Sequence, residues 1–193
     1  MDFELLNAIS HLERPDGLIA IPGLPAYVLA VRPTQDRALS RLRRITRQTG
    51  PLLLLGVDSN AFAPYLSEIP QSARTLINRH WPGALELWLP ACATISPALN
   101  DGQDWMKTMQ PDCEVLQGLL SMMPEGVLAV CTANRWGEYP ATSVQAVFDT
   151  FGEDVDFVLS DDDWVRATPS PTVVSVARDG ELYLLRSGHV VLD

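Results

Sequence analysis

A turn and the strand after it, near the middle of the chain, restrict the possible folds. The turn is Trp81-Pro82-Gly83, in which proline fixes φ and glycine opens conformations closed to other residues. Over residues 84–89 every second residue is leucine, so the leucines share one side and Glu86 and Trp88 share the other. This alternation predicts a strand with one buried face, ended by Pro90.

Short apolar runs predict the other strands, because a continuous run of this length is typical of a strand buried on both faces. The runs cover residues 18–21, 52–55 and 127–131, with further short candidates at 105–109 and 157–159. Residues 27–31 fit either a strand or an irregular packed segment. A turn signal at Arg178-Asp179-Gly180 predicts a hairpin of strands 172–176 and 181–185.

Apolar residues at helical spacing predict helices between these strands. The segments are residues 2–13, 33–49, 72–80, 112–123 and 143–151, with a shorter one at 60–66. For the helix at 33–49, Thr34 is the expected N-cap and Gly50 the expected stop. We expect residues 91–104 to form a loop. Because no repeat or linker interrupts the chain, the sequence predicts one α/β domain over residues 1–193, with a mixed sheet.

Composition limits the class of protein. With 47% apolar residues in 193, the chain has enough core to fold unaided. No apolar run approaches the roughly 20 residues of a membrane span, and the acidic start of the chain lacks a signal-peptide pattern. Three cysteines without metal-site spacing indicate reduced thiols, so we expect a cytoplasmic protein without membrane contact. They are Cys92, Cys113 and Cys131.

Charge is unevenly distributed along the chain. The net charge of −10 disfavours nucleic-acid binding in general, because phosphate contacts supply most non-specific affinity. Residues 37–47 nevertheless hold five arginines and no acid. On a helix, Arg37, Arg41 and Arg44 share one face at i, i+4 and i+7. This face fits either plain solvation or phosphate binding, because arginine forks match phosphate oxygens.

One polar segment lies where α/β proteins commonly bind ligands. Thr132-Ala133-Asn134 follows directly on the apolar run 127–131, and ligands favour the carboxyl ends of strands. The sequence shows no phosphate-binding glycine loop and no metal cluster, since its three histidines are far apart. The acidic turn Asp161-Asp162-Asp163 has cation-binding chemistry, although such turns are usually only solvated. The residues alone indicate a ligand-binding α/β domain without a metal site.

Seven segments form an ordered set of motifs. They are Leu18-Ile19-Ala20-Ile21-Pro22, Gly50-Pro51-Leu52, Phe62-Ala63-Pro64-Tyr65, Arg79-His80-Trp81-Pro82-Gly83, Val130-Cys131-Thr132-Ala133-Asn134, Pro171-Thr172-Val173-Val174 and Leu185-Arg186-Ser187-Gly188. Their order and spacing over about residues 5–190 resemble those of the YrdC family, whose core members are threonylcarbamoyl-AMP synthases. The resemblance implies a single-domain twisted mixed β-sheet flanked by helices.

The resemblance also implies an activity. The family's synthases join L-threonine, bicarbonate and ATP, with magnesium, into threonylcarbamoyl-AMP and pyrophosphate, for the modification of a tRNA adenosine. ATP and Mg²⁺ would enter as substrates, with no permanently bound cofactor, and tRNA-modification proteins would be partners. Carried over position by position, the nucleotide- and substrate-binding residues would be Arg44, Thr46, Lys107, Thr132, Asn134, Thr172 and Arg186.

The chain departs from the family where the chemistry should lie. The family's Thr-Asp/Glu-Thr loop is here Gly23-Leu24-Pro25, without hydroxyl or carboxylate. Its Lys-x-Arg motif falls on Arg44 and Thr46, or in a shifted register on Arg41-Leu42-Arg43 or Arg47. The family's Val-Arg motif is Met106-Lys107, and its final serine is Pro171. Each lost polar contact commonly costs about 1–3 kcal/mol, so the losses together predict little synthase activity unless other residues substitute.

Three hypotheses follow from these observations. The first is a divergent threonylcarbamoyl-AMP synthase. The second is a paralogue that keeps the fold without the reaction and binds a nucleotide, a related small molecule or a protein. The third, disfavoured by the net charge, is RNA binding through the basic helix.

Overall fold

Helices and strands follow one another along the chain in the pattern that the sequence predicts. The computed structural model describes residues 2–23, 25–160 and 169–192. Its α-helices are α1 (Asp2–Leu12), α2 (Asp36–Thr46), α3 (Gln71–His80), α4 (Pro97–Asn100), α5 (Glu114–Met122) and α6 (Val144–Phe151). Its strands are β1 (Ile19–Pro22), β2 (Tyr27–Val31), β3 (Leu53–Gly56), β4 (Leu85–Pro90), β5 (Trp105–Met109), β6 (Val127–Thr132), β7 (Phe157–Val158), β8 (Thr172–Val176) and β9 (Leu182–Arg186).

The chain divides into two units, each made of two separate stretches. Unit 1 holds Met1–Thr49 and Leu128–Thr168, and unit 2 holds Gly50–Val127 and Pro169–Asp193. Each unit contains helices and both parallel and antiparallel strand pairs, so the α/β class with a mixed sheet is confirmed. That residues 1–193 act as one domain stays a prediction.

Unit 1 is built on four strands in the order β7-β1-β2-β6. β1 runs antiparallel to β2 and parallel to β7, and β2 runs antiparallel to β6. Every residue of β1 and β2 is buried, and α1 and α2 contact them. The segment 27–31 is therefore a strand rather than an irregular segment, and the interpretation of 18–21 as a buried strand is confirmed.

Helix α2 packs its apolar side against β2, and none of its arginines is among its buried residues. Its buried residues are Ala38, Leu39, Leu42, Ile45 and Thr46. Both predicted ends are wrong. The N-cap is Gln35, without a side-chain cap, rather than Thr34. The helix stops well before Gly50, because Arg47 adopts a left-handed backbone with φ of 55°.

The sheet of unit 2 has five strands in the order β3-β5-β4-β8-β9. β4 runs antiparallel to β5 and parallel to β8, and β3 runs parallel to β5. Within β4 the leucines are fully buried, whereas Glu86 and Trp88 are half-buried. The alternation therefore confirms a strand with one buried face. Pro90 is the last residue of this strand, paired with Trp105.

Strands β8 and β9 form the predicted hairpin at the edge of this sheet. The turn between them contains Gly180, whose positive φ of 90° favours glycine. Glycine is also required at Gly188, where a Cβ would lie 2.4 Å from the carbonyl carbon of Pro171. All five residues of β9 are exposed, although four of them are large and apolar.

Some expectations need correction or fall outside the described residues. The short helix predicted at 60–66 is present as a 3₁₀ helix, but it covers only Ser59–Phe62. The expected loop 91–104 contains α4, which begins with a cap from Ser96. The turn Asp161-Asp162-Asp163 lies outside the described residues. None of the described helices has the length and hydropathy needed to span a membrane.

Candidate ligand-binding site

The end of β6 presents the polar pair that the sequence singles out. β6 is buried up to Val130, and Thr132, its last residue, is exposed. Asn134 is 9% exposed. Between them, Ala133 donates its N–H to the carbonyl of Tyr27 at 2.8 Å, which extends the pairing with β2. The predicted placement of a hydroxyl and an amide at the carboxyl end of a buried strand is therefore correct.

Gln48, in the segment after α2, closes over this pair. Its amide Nε2 donates to the backbone oxygens of Thr132 and Asn134, at 2.9 Å each. The same nitrogen lies 3.1 Å from Oδ1 of Asn134 and 3.4 Å from Oγ1 of Thr132. This amide has two hydrogens for four neighbouring oxygens, so it serves them through shared hydrogen bonds and ties the end of β6 to the segment after α2.

The other end of the Asn134 amide is equally engaged. Its Nδ2 donates to the carbonyl oxygens of Arg135 and Glu138, at 3.0 and 3.1 Å. Both donor hydrogens of the side chain are therefore used inside the chain. In this conformation Asn134 fixes the loop that follows β6.

Thr46 and Arg44, the two residues at the family's Lys-x-Arg positions, lie on different sides of α2. Thr46 is fully buried and donates its hydroxyl to the carbonyl of Leu42 at 2.8 Å. Its Oγ1 also accepts the N–H of Gln48 at 3.4 Å, which joins it to the Gln48 contacts. Residues two apart on an α-helix are separated by roughly 200°. Arg44 accordingly faces away, and it is exposed.

Arg44 lines an open cavity of about 530 Å³ on the outer side of α2. The other lining residues are Asp16, Asp36, Arg37, Ser40 and Arg41. Only part of the predicted phosphate-binding face of Arg37, Arg41 and Arg44 is available, because the Arg41 guanidinium is already paired with a carboxylate. This guanidinium binds both oxygens of Asp156, at 2.7 and 3.1 Å, and the carbonyls of Asp16 and Asp154.

The Arg41–Asp156 pair is a structural contact of unit 1. Burial raises the pKa of the Asp156 carboxyl. The hydrogen bonds from Arg41 and from the Leu18 N–H, together with the charges of Arg41 and Arg14, outweigh burial, so this pKa lies below its ordinary value. The pair holds the start of β1 beside the start of β7.

Lys107 of unit 2 lies on an aromatic part of the sheet. Its Nζ is 5.0 Å from the ring centroid of Trp88, its cross-strand partner, in a cation–π arrangement. Trp88 stacks on Trp105 with ring centroids 6.2 Å apart, and its Nε1 donates to Glu86 at 2.7 Å. A positive charge and two indoles therefore share one face of the sheet.

Thr172 and Arg186 both form hydrogen bonds with backbone groups of unit 2. Thr172 bonds to residues near the end of the chain, and Arg186 bonds to Pro171. Thr172 is fully buried, donates to the carbonyl of Val190 at 2.7 Å, and accepts the N–H groups of Gly188 and Val190. Arg186 donates from Nε and one terminal nitrogen to the carbonyl of Pro171. Thr172 pairs with the fully buried Leu85 and Lys107 pairs with Trp88, so the register places these two residues on opposite faces.

A family model described as "Telomere recombination", for the Sua5, YciO and YrdC proteins, matches residues 12–188. The chain belongs to this family. Among curated members, a threonylcarbamoyl-AMP synthase of Idiomarina loihiensis is 26% identical over 165 residues, covering 83% of this chain and 88% of that protein. Another, of Pyrococcus abyssi, is 25% identical over 182 residues, covering 93% of this chain and 53% of that protein.

Solved structures of the family agree in fold. Sua5 of P. abyssi complexed with L-threonine matches with a TM-score of 0.85 and 22% identity, covering 97% of this chain. This chain spans 55% of that longer protein. E. coli YciO matches with a TM-score of 0.82 and 18% identity, covering 97% of this chain and 90% of YciO. At these identities the likeness establishes the fold, while the curated relatives show that the chain resembles threonylcarbamoyl-AMP synthases.

Within this family fold, the seven predicted site residues fall into separate groups. Thr46, Thr132 and Asn134 meet in unit 1 around Gln48, and Arg44 lies apart from them. The three in unit 2 are Lys107, Thr172 and Arg186. Sequence reasoning missed Gln48, because a single glutamine in a polar loop carries no motif. Among the described residues no group of three His, Cys, Asp or Glu is suited to hold a metal ion.

Proposed function

We propose that this chain binds L-threonine and ATP and joins them with bicarbonate into threonylcarbamoyl-AMP and pyrophosphate. The observation that supports this most is the placement of Thr132 and Asn134 at the carboxyl end of β6, in a chain whose curated relatives carry that activity in their names. Magnesium would arrive with the ATP phosphates as a substrate, since no described carboxylate cluster is suited to hold it.

A second candidate function is favoured by the contacts of Gln48. A paralogue that has lost the reaction can use the polar groups of the former reaction site to hold its own loops. Here the oxygens that Gln48 contacts, together with the hydroxyls of Thr46 and Thr172, are satisfied within the chain. The loop at residues 23–25 also lacks the hydroxyl and carboxylate of the family motif. These features support binding without synthesis.

Location and partners complete the proposal. We place the protein in the cytoplasm, where it would act with tRNA-modification proteins. RNA binding through the basic helix is the weakest option, because Arg41 is paired with Asp156 and only Arg37 and Arg44 stay exposed on that face.

One experiment separates the two candidates. Purified protein at high concentration is incubated with ATP, L-threonine, bicarbonate and Mg²⁺, and pyrophosphate release is measured beside calorimetric titrations with ATP and with threonine. Release that requires threonine and is reduced in Thr132→Val supports the synthase, with Asn60→Ala, whose side chain lies in the 3₁₀ helix of unit 2, as control. Binding heat without release supports the binding module. Neither heat nor release overturns both.

A further inference from the structure

The outer edge of the sheet in unit 2 is a short apolar strand. β9 is the last strand in the order β3-β5-β4-β8-β9, and among the described residues it pairs only with β8. Four of its side chains are apolar and between 42% and 55% exposed: Leu182, Tyr183, Leu184 and Leu185. Proteins commonly protect such edges with lysine, proline or a covering element, because an uncovered edge pairs with another chain. β9 contains neither lysine nor proline, so its edge is open to such pairing.

The hairpin geometry determines which backbone groups of β9 face outward. The N–H of Ala177 donates to the carbonyl of Glu181 at 2.9 Å, so this pair begins the ladder between β8 and β9. Hydrogen-bonded and non-hydrogen-bonded pairs alternate along an antiparallel ladder. Leu182 and Leu184 therefore turn their N–H and C=O groups away from β8. These groups form a row along the edge that a further strand can satisfy.

One face of β9 carries opposite charges at its two ends. Glu181 precedes the strand and accepts a hydrogen bond from the Tyr183 hydroxyl, so these two residues share a face. Tyr183 pairs with Ser175 of β8. Arg186 pairs with Val173, two residues earlier on the same face of β8, so it lies on the Tyr183 face as well. This face therefore reads acid, tyrosine, arginine, and reversing the strand exchanges the acid with the arginine.

We propose that two copies of this chain associate through their β9 edges, antiparallel about a twofold axis. In that arrangement Leu182 of each copy pairs with Leu184 of the other, which satisfies the outward backbone groups of both. The two Tyr183 side chains meet at the axis, and Glu181 of each copy comes near Arg186 of the other. A twofold contact needs a self-complementary surface, and β9 supplies one. The pairing does not depend on which ligand the chain binds.

Charge and area set the strength of this contact. The net charge of −10 makes two copies repel each other in general. Residues 178–186, however, hold two acids and two arginines, so the paired surface itself is neutral. Four half-exposed side chains bury less than the roughly 800 Å² per partner of a standard interface. The dimer is therefore weak, with a Kd on the order of 1–100 μM.

Sedimentation equilibrium of the full chain, at about 1 to 500 μM, tests the pairing. The average mass should rise from that of one chain to twice that value and no further. Leu184→Lys should weaken the association by at least about 10-fold, because it places a charge in the paired edge. Phe148→Lys is the matched control: it changes a side chain of similar exposure, 50% against 55%, in α6 of unit 1 and should leave association unchanged. Circular dichroism checks that both variants fold.

A charge exchange between copies tests the antiparallel arrangement. Glu181→Lys and Arg186→Glu each place like charges at both ends of the contact, so each alone should weaken self-association by about 5- to 50-fold at low salt. An equal mixture of the two variants restores opposite charges at both ends and should associate as the wild type does. Damage within one chain would give no such rescue.

Four results would each overturn the proposal. They are the mass of a single chain at every concentration, species larger than two chains, association of Leu184→Lys equal to that of the wild type, and a mixture of the two charge variants that associates no better than either alone.

Discussion

The amide nitrogen of Gln48 lies 2.9 Å from the backbone oxygen and 3.1 Å from the side-chain oxygen of Asn134. Asn134 is one of the residues that the resemblance to the synthases assigns to substrate binding, and Gln48 lies 86 residues earlier. The contacts of Gln48 join the segment after α2 to the end of β6.

Replacing Gln48 by alanine should lower the free energy of unfolding by about 0.5–1.5 kcal/mol, because the backbone and side-chain oxygens of Asn134 lose the Gln48 donor, whereas the Thr132 carbonyl keeps the N–H of Asn134. Urea denaturation followed by circular dichroism measures the change. Gln145→Ala is the control: its amide also bonds a side chain, Asp149, but on the exposed surface of α6, and its loss should cost under about 0.5 kcal/mol. Equal stability of both variants would contradict the role given to Gln48.

Asp156→Asn should destabilise the protein at pH 7 by about 1–3 kcal/mol, through loss of the charged hydrogen bonds to Arg41. The folded pKa of Asp156 is lowered, so its stabilisation is complete above the unfolded value of about 3.9 and is lost as the pH falls through the folded value. The difference between wild type and variant should therefore shrink below about pH 4. Urea denaturation at pH 7, 5 and 3 measures it.

The exposed Arg178–Glu68 pair is the comparison for that variant. Its charged atoms are 3.3 Å apart, and both side chains are about half exposed. Glu68→Gln should change stability by less than about 1 kcal/mol at pH 7, because exposed pairs are screened by water. A pH-independent difference for Asp156→Asn would show that the ionised carboxylate does not supply the stabilisation.

Thr172→Val should destabilise the protein by about 2–4 kcal/mol, because one hydroxyl serves the N–H groups of Gly188 and Val190 and the Val190 carbonyl. The change leaves these backbone groups without their partner and should increase hydrogen exchange at residues 188–190. Thr75→Val is the control, since its hydroxyl bonds only Gln71 on the exposed surface of α3. A neutral Thr172→Val would contradict the structural role given to this hydroxyl.

Cys92 should be the cysteine that alkylating reagents reach first. The side-chain and backbone hydrogen bonds from Thr94 lower the pKa of its thiol, which raises the thiolate fraction near neutral pH. Cys113 is buried. Mass spectrometry after a short iodoacetamide pulse at pH 7.5 should show Cys92 modified first. Thr94→Val should slow that reaction by a factor of about two or more, whereas unchanged rates would remove the hydrogen bond as its cause.

Local patterns predicted the elements well where one interaction dominates. The leucine alternation of β4 depends only on burial of one sheet face, and the observed exposure follows it residue by residue. The two ends of α2 were predicted less well. Neither the observed N-cap, Gln35, nor the left-handed residue, Arg47, has a side chain that marks a helix end in the sequence. The left-handed backbone at Arg47 is fixed by its place at the end of α2 rather than by its side chain.

The site was predicted in part, because sequence shows residue types but not their distant partners. Thr132 and Asn134 were placed correctly by the strand before them, whereas the pairing of Arg41 with Asp156 joins residues 115 apart. Helical spacing placed Arg41 on one face with Arg37 and Arg44. Nothing nearby in the sequence shows that Arg41 pairs with the distant carboxylate of Asp156. Gln48 escaped notice for the same reason.

The two-part composition of unit 1 has a consequence for synthesis on the ribosome. Leu29 of β2 pairs with Cys131 of β6, about a hundred residues later. At roughly 5–20 residues per second, the emerging hairpin of β1 and β2 waits on the order of 5–20 s for that neighbour. During this interval the apolar residues of β1 and β2, which are all buried in the folded chain, lack β6 as a neighbour. We therefore expect the nascent chain to bind holdase chaperones.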